Sequence, residues 1–271
     1  MSGPADLPAP HSLLYAPTRE VPVRARASLL RADTPIAPHS HPWAQVAFSA
    51  TGVVRMTAGH GTYIVPPSRA LWIPPNVEHR VTVVDDAELR AIYIHQAVGR
   101  CGPGVAAADE PRWRDCRVLE VSPLLRELVL HLPLASGALQ SGERERSIAA
   151  LVLDELRRAP AVPLGVDMPN DKRLRTLCEA VLDEPTRHAT LEDWARDTGA
   201  SPRTVARLFR AELGTTFAQW RQQVLLAKAV SLAARRMPMS RIASELGYAS
   251  ASAFSAMVRR SVGAPPSRFL A

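Results

Sequence analysis

The chain has 271 residues, 46% of them hydrophobic, and a formal net charge of +7. That length and apolar content suit two globular domains with a core each. The three cysteines (Cys101, Cys116, Cys178) are scattered with no CxxC pair, which excludes a disulfide framework and a cysteine-based zinc site. No apolar run approaches the ~20 residues of a membrane span. The start, MSGPADLPAPHSLLYAP, lacks the basic-then-apolar pattern of a secretory signal. A cytoplasmic protein with no membrane partner is expected. The charge is unevenly placed: residues 171–271 hold 16 Lys and Arg against 9 Asp and Glu, whereas residues 1–170 hold 17 of each. Contact with a polyanion is therefore expected of the C-terminal part alone.

In chain order, residues 21–99 read as short strands. VPVRARASLLRA opens with apolar and basic residues in alternation. AQVAFSAT, GVVRMTAG, GTYIVPP, ALWIPP, HRVTVVDD and LRAIYIHQ follow, punctuated by glycines and by Pro66, Pro67, Pro74 and Pro75. Many short strands at close spacing predict a small antiparallel barrel or sandwich. VSPLLRELVLHLPL and ERERSIAALVLDELRR then take up helical periodicity, with Ile148, Leu151, Val152 and Leu156 on one face. These two helices pack on the strands or on a second subunit. Residues 159–170, APAVPLGVDMPN, hold three prolines and read as a linker between a domain over 1–158 and one over 171–271.

The second domain opens with the helix KRLRTLCEAVLDEP. Next comes LEDWARDTGASPRTVARLF. With Leu191 as position 1, Ala195 stands at 5, Gly199 at 9, Val205 at 15 and Leu208 at 18. A helix-turn-helix needs a small residue at 5 for close helix crossing. It favours glycine at 9, where the turn takes a positive φ, and needs apolar residues at 15 and 18. Thr190 with Asp193 is a capping-box variant, and Ser201 with Pro202 starts the reading helix. FAQWRQQVLLAKAVSLAARR is a long connecting helix stopped by Pro238. MSRIASELGYASASAFSAMV repeats the pattern from Met239, with Ala243 at 5 and Gly247 at 9. Its turn is one residue longer; with that allowance Phe254, Met257 and Val258 match Val205, Leu208 and Phe209. Two such units place two helices on successive major-groove faces of one duplex. Candidate DNA contacts are Ser201, Arg203, Thr204, Arg207 and Arg210 on the first reading helix. On the second they are Ser250, Ser252, Ser255 and Arg259. Arg203 and Arg207 share one face, while the matching positions of the second helix hold Ser252 and Ala256.

Residues 171–270 resemble the AraC/XylS family of transcription regulators. Ile242, Ala243, Gly247, Tyr248, Ser250, Phe254, Ser255, Gly263, Pro266 and Phe269 carry the resemblance. The family usually has arginine where Ala256 stands. The resemblance implies a seven-helix reader. The N-terminal part is similar to the cupin sensor of such regulators. PHSHPWAQ matches the first cupin motif at His39 and His41, with Gln45 in place of its glutamate. ALWIPPNVEHRV matches the second at Pro74 and His79, with Asn76 in the place of glycine. Asparagine tolerates the left-handed turn that glycine would take. The fold expected is α+β: a cupin-like antiparallel barrel followed by two helices, then an all-α domain with two helix-turn-helix units.

Read as a strand, residues 39 and 41 face the same way, and His79 comes from another strand. Three imidazoles form a divalent metal site for zinc, nickel or iron(II), with Gln45 or His95 as a fourth ligand. The alternative is a polar ligand pocket whose histidines only hydrogen-bond. The reading is a regulator that binds double-stranded promoter DNA, senses a small molecule or divalent metal, forms a homodimer and works on RNA polymerase. The competing reading is a dioxygenase-like cupin metalloenzyme with an accessory DNA-binding domain; the missing glutamate and the attached DNA reader weigh against it.

Overall fold

A computed structural model describes residues 15–32, 34–84, 86–134, 142–162, 164–197 and 199–270. The segment searched for a signal lies mostly outside them. The chain runs through β1 (Val23–Leu30), β2 (Pro35–His39), β3 (Ala44–Thr51), β4 (Val54–Ala58), β5 (Gly61–Val65), β6 (Arg69–Ile73), β7 (His79–Val83), β8 (Ala87–Ile94) and β9 (Arg117–Glu120). Helices α1 (Pro123–His131) and α2 (Glu143–Arg158) follow, then β10 (Ala161–Val162) and β11 (Gly165–Asp167). The described residues of 1–59 and 67–162 make one unit, and those of 60–66 and 163–271 the other.

In the first unit, β1-β8-β3-β6-β9-β10 form an antiparallel sheet. Register decides its faces. Ala25 and Val46 both oppose Ile92, and this face packs on Leu125 and Val129 of α1 and on Val152 and Leu156 of α2. Ser122 caps α1, accepting from the Leu125 amide at 3.0 Å. Leu151, expected on the apolar stripe of α2, stays 48% exposed. It precedes Val152 by one residue, about 100° around the helix, and so stands beside the stripe that Val152 and Leu156 fill. The other face of the sheet carries Arg26, Gln45 and Tyr93. Strands β4 and β2 flank β7 in a second sheet, with a register shift between Ile36 and His39. Pro38, which has no amide hydrogen, sits at that irregularity.

The expected linker is not structureless. β10 pairs with β9, and β11 pairs with β5. Its prolines flank two strands of two and three residues and leave their amides free to pair. As a result residues 60–66, expected in the N-terminal domain, group with the C-terminal unit. There the Met168 amide donates to the His60 carbonyl at 2.8 Å, and the Trp220 indole donates to the Asp167 carbonyl at 2.7 Å.

The rest of this unit is helical: α3 (Lys172–Asp183), α4 (Leu191–Asp197), α5 (Pro202–Leu213), α6 (Phe217–Ala234), α7 (Met239–Glu245), α8 (Ala251–Val262) and α9 (Pro266–Phe269). One core joins Leu177 and Val181 of α3, Trp194 and Ala195 of α4, Val205 and Phe209 of α5, and Trp220 and Val224 of α6. On the other side of α6, Ile242, Ala243, Phe254, Met257 and Val258 are buried. Helix α6 buries residues all round, among them Leu225, Leu226, Ala227, Ala229 and Val230, as a helix between two bundles must. Gly199 (φ 65°) and Gly247 (φ 75°) make the left-handed turns the spacing predicted. Phe209 packs edge-on against Phe217 and Trp220 at 5.5 and 5.6 Å. Phe209→Ala is expected to cost about 3–5 kcal/mol and to lower the midpoint of urea unfolding followed by tryptophan fluorescence in the full chain. An unchanged midpoint contradicts this core.

Candidate functional site

The first unit brings His39, His41 and His79 together, with one ligand nitrogen from each within 4.8 Å of the others. Two loops do this, and strand alternation does not. His41 lies beyond the end of β2, so its direction is set by the turn HPWA before β3. Its carbonyl accepts from the Asn76 amide at 2.8 Å, which ties that turn to the loop leading into β7. Asn76 has φ 61°, the left-handed conformation expected of it. The register shift in β2 sets His39 opposite His79. The expectation that strand pleating aligns residues 39 and 41 is thus corrected, while their convergence stands. His95 is not part of the cluster among the described residues.

The hydrogen bonds fix which nitrogen each ring offers. Nδ1 of His39 lies 2.9 Å from the Ala37 carbonyl, that of His41 2.8 Å from the Trp43 carbonyl, and that of His79 2.9 Å from the Val77 carbonyl. A carbonyl oxygen only accepts, so each Nδ1 carries the proton and donates. In a neutral ring held this way the lone pair lies on Nε2, the atom that can bind a metal. Nε2 of His79 is buried and has no hydrogen-bond partner among the described residues. Nε2 of His41 faces Gln45 Oε1 at 2.9 Å. Two lone pairs there repel unless the amide turns its NH₂ toward the ring or a cation lies before both. Burial pushes the His79 imidazole down to about 4 and lowers that of His41, so both are neutral at neutral pH. Trp43 stacks on the His41 ring at 5.0 Å.

Beside the histidines a cavity of about 290 Å³ opens between the sheets, lined by β1, β2, β3, β7 and β8 and sharing His39 and Gln45 with the cluster. Arg26 and Tyr93 also line it. Sequence reasoning did not single them out. The signal was present in VRARAS, where the apolar residues face the helices and the arginines face the other way.

In the second unit Ser201 Oγ accepts from the Thr204 amide at 3.2 Å, and Ser250 Oγ from the Ala253 amide at 3.1 Å. Both serines are therefore helix caps. Thr204 and Ser255 are half-buried. Arg203, Arg207 and Arg210 on α5 and Ser252 and Arg259 on α8 are exposed. The four arginines have no carboxylate within ion-pair distance among the described residues. Val205, Phe209, Phe254, Met257 and Val258 turn into the core on the opposite sides of these helices.

The family model of a helix-turn-helix domain matches residues 194–271, and that of an AraC-like ligand-binding domain matches residues 28–158. The chain is 31% identical over 233 residues to the HTH-type transcriptional regulator NimR of Escherichia coli, covering 86% of this chain and 81% of that one. It is 27% identical over 142 residues to the arabinose operon regulatory protein of Salmonella typhimurium, about half of each chain. ToxT of Vibrio cholerae, a solved structure, aligns over 92% of this chain and 98% of its own at 10% identity, with a TM-score of 0.37. Among the described residues no helix is long and apolar enough to cross a membrane. With a ligand-binding domain ahead of a double helix-turn-helix reader, the chain belongs to the AraC family of transcriptional regulators.

Proposed function

We propose that α5 and α8 read a promoter in its major groove, and that α5 supplies most of the base contacts. The guanidinium groups of Arg203 and Arg207, four residues apart on the exposed face of α5 and without an ion-pair partner among the described residues, carry this reading. Arginine forms bidentate hydrogen bonds to guanine. The matching face of α8 offers Ser252 and Ala256, so α8, with Ser250 and Arg259, serves the phosphates. Ser201, Thr204, Arg210 and Ser255 flank these positions. The protein works as a homodimer that acts on RNA polymerase, and effector binding biases its DNA occupancy by a population shift.

The histidine cluster holds a divalent cation in this reading. The carrying observation is the common polarity of the three rings: every Nδ1 is tied to a backbone carbonyl, and the buried Nε2 of His79 has no partner. Backbone carbonyls orient metal-binding histidines in this way. His39, His41 and His79 would be the ligands and Gln45 a neutral fourth. Zinc, nickel and iron(II) all suit imidazole. Such an ion adds a Lewis-acidic, positively charged wall to the cavity.

Arg203→Ala and Arg207→Ala are each expected to cost about 1–3 kcal/mol of DNA affinity and to relax base preference. Site selection by each full-length variant checks this; a larger loss of specificity from Ser252→Ala overturns it. Full-length protein is expected to take up zinc stoichiometrically, His41→Ala to lose it, and Gln45→Glu to tighten it by restoring a negative charge. Equal zinc content in wild type and His41→Ala removes the metal reading.

The pH dependence has a definite sign. Unfolded imidazole titrates at ~6.5, whereas folded His79 sits at about 4. The unfolded chain takes up that proton first. Metal-free protein should therefore lose stability as pH falls from about 6.5 through about 4. His79→Gln should flatten that slope in chelator-treated thermal melts. An unchanged slope contradicts the burial argument.

A further inference from the structure

The cavity beside the histidines carries information about its occupant, and this inference rests on the reading of the first unit as the effector-binding part. Among the residues that line it, Arg26 is the one with a permanent charge, and none is aspartate or glutamate. Arg26 has no carboxylate within ion-pair distance among the described residues. Its neighbours are the Tyr15 ring, 5.1 Å from the guanidinium carbon, and the Tyr93 side chain. A partly buried guanidinium without a counter-charge favours an anion that enters the same space. It disfavours a cationic group set against it and leaves a neutral ligand to face an uncompensated charge. The planar fork of arginine matches the two oxygens of a carboxylate. The Tyr93 side chain lines the same space, and a phenol hydroxyl donates to a ligand oxygen. The remaining wall is largely apolar, with Leu30, Ile36, Val81 and Leu89. That wall suits a hydrocarbon body, which an inorganic phosphate lacks. The volume, about 290 Å³, is at the small end for ligand pockets.

We propose that the effector of this regulator is a small organic carboxylate, its carboxylate group held by Arg26 and Tyr93 and its hydrocarbon body set against Leu30, Ile36, Val81 and Leu89.

The test uses the full-length protein and matched probes: benzoate, phenylacetate and 4-methylpentanoate, each beside its primary amide. The amides keep the shape and lose the charge. Thermal shift and calorimetry are expected to show an acid binding about tenfold or more tightly than its amide, the size of one charge-assisted hydrogen bond. Arg26→Gln should remove that preference, and Arg26→Lys, which keeps the charge without the fork, should retain part of it. Tyr93→Phe should weaken the acid several-fold and leave the amide unchanged, which keeps the test open if Arg26→Gln fails to fold. Amides that bind as well as acids, acids that bind Arg26→Gln as well as wild type, or no probe acid that binds better than its amide each overturn the proposal. DNA binding and zinc content are measured on the same samples. Acid binding that persists in chelated protein supports the carboxylate while removing any need for metal. Unchanged DNA affinity and zinc content in Arg26→Gln, with acid binding lost, places the loss in the cavity.

Discussion

Burial of both faces of the six-stranded sheet organises the sensor unit. Strand β3 is buried at seven of its eight positions and β6 at all five. Strands buried on both sides read as continuous apolar runs, and something must cover each side. Helices α1 and α2 cover one face through an apolar core. The other face turns toward the second sheet, and there the side chains are not uniformly apolar. Arg26, Gln45 and Tyr93 occupy it, and a cavity remains between the sheets. The sheet thus packs an apolar core on one face and keeps polar side chains beside the cavity on the other.

The histidine cluster shows the same division of labour at smaller scale. Its rings touch, His39 and His41 lying 4.3 and 5.1 Å from His79 between ring centroids. Each is fixed from behind by a backbone carbonyl two residues away: Ala37 for His39, Trp43 for His41 and Val77 for His79. Local backbone geometry therefore sets ring orientation and tautomer before any ligand arrives. The loop hydrogen bond from Asn76 to His41, with Asn76 left-handed, sets the distance between the two motif segments. This is preorganisation in its plain physical sense: the ordering entropy is met by folding and not by binding.

In the reader, helix α6 has the corresponding central role. Its second half, from Val224 to Leu232, is buried on nearly every side, and its Trp220 packs in the first bundle. Each of α5 and α8 is amphipathic: one side packs on its own bundle, and the other is exposed. Small residues at Ala195 and Ala243, both buried, let those helices cross closely.

The reader was legible in the sequence because its determinants are local. A small residue, a left-handed glycine and two apolar positions lie within one twenty-residue window, and the helix caps Ser201 and Ser250 stand beside them. Strand content, the two helices after it and the confinement of the net positive charge to residues 171–271 were legible for the same reason. Tertiary structure decided what depends on register and on pairing between distant segments. Pleating could not predict that His41 lies outside the strand, or that a register shift would set His39 against His79. Proline content could not predict that the supposed linker would pair as β10 and β11, or that residues 60–66 would group with the C-terminal unit. The place of Arg26 in the cavity wall was hidden likewise. An alternating strand names two faces, and only packing on α1 and α2 determined which of them would be turned toward the cavity.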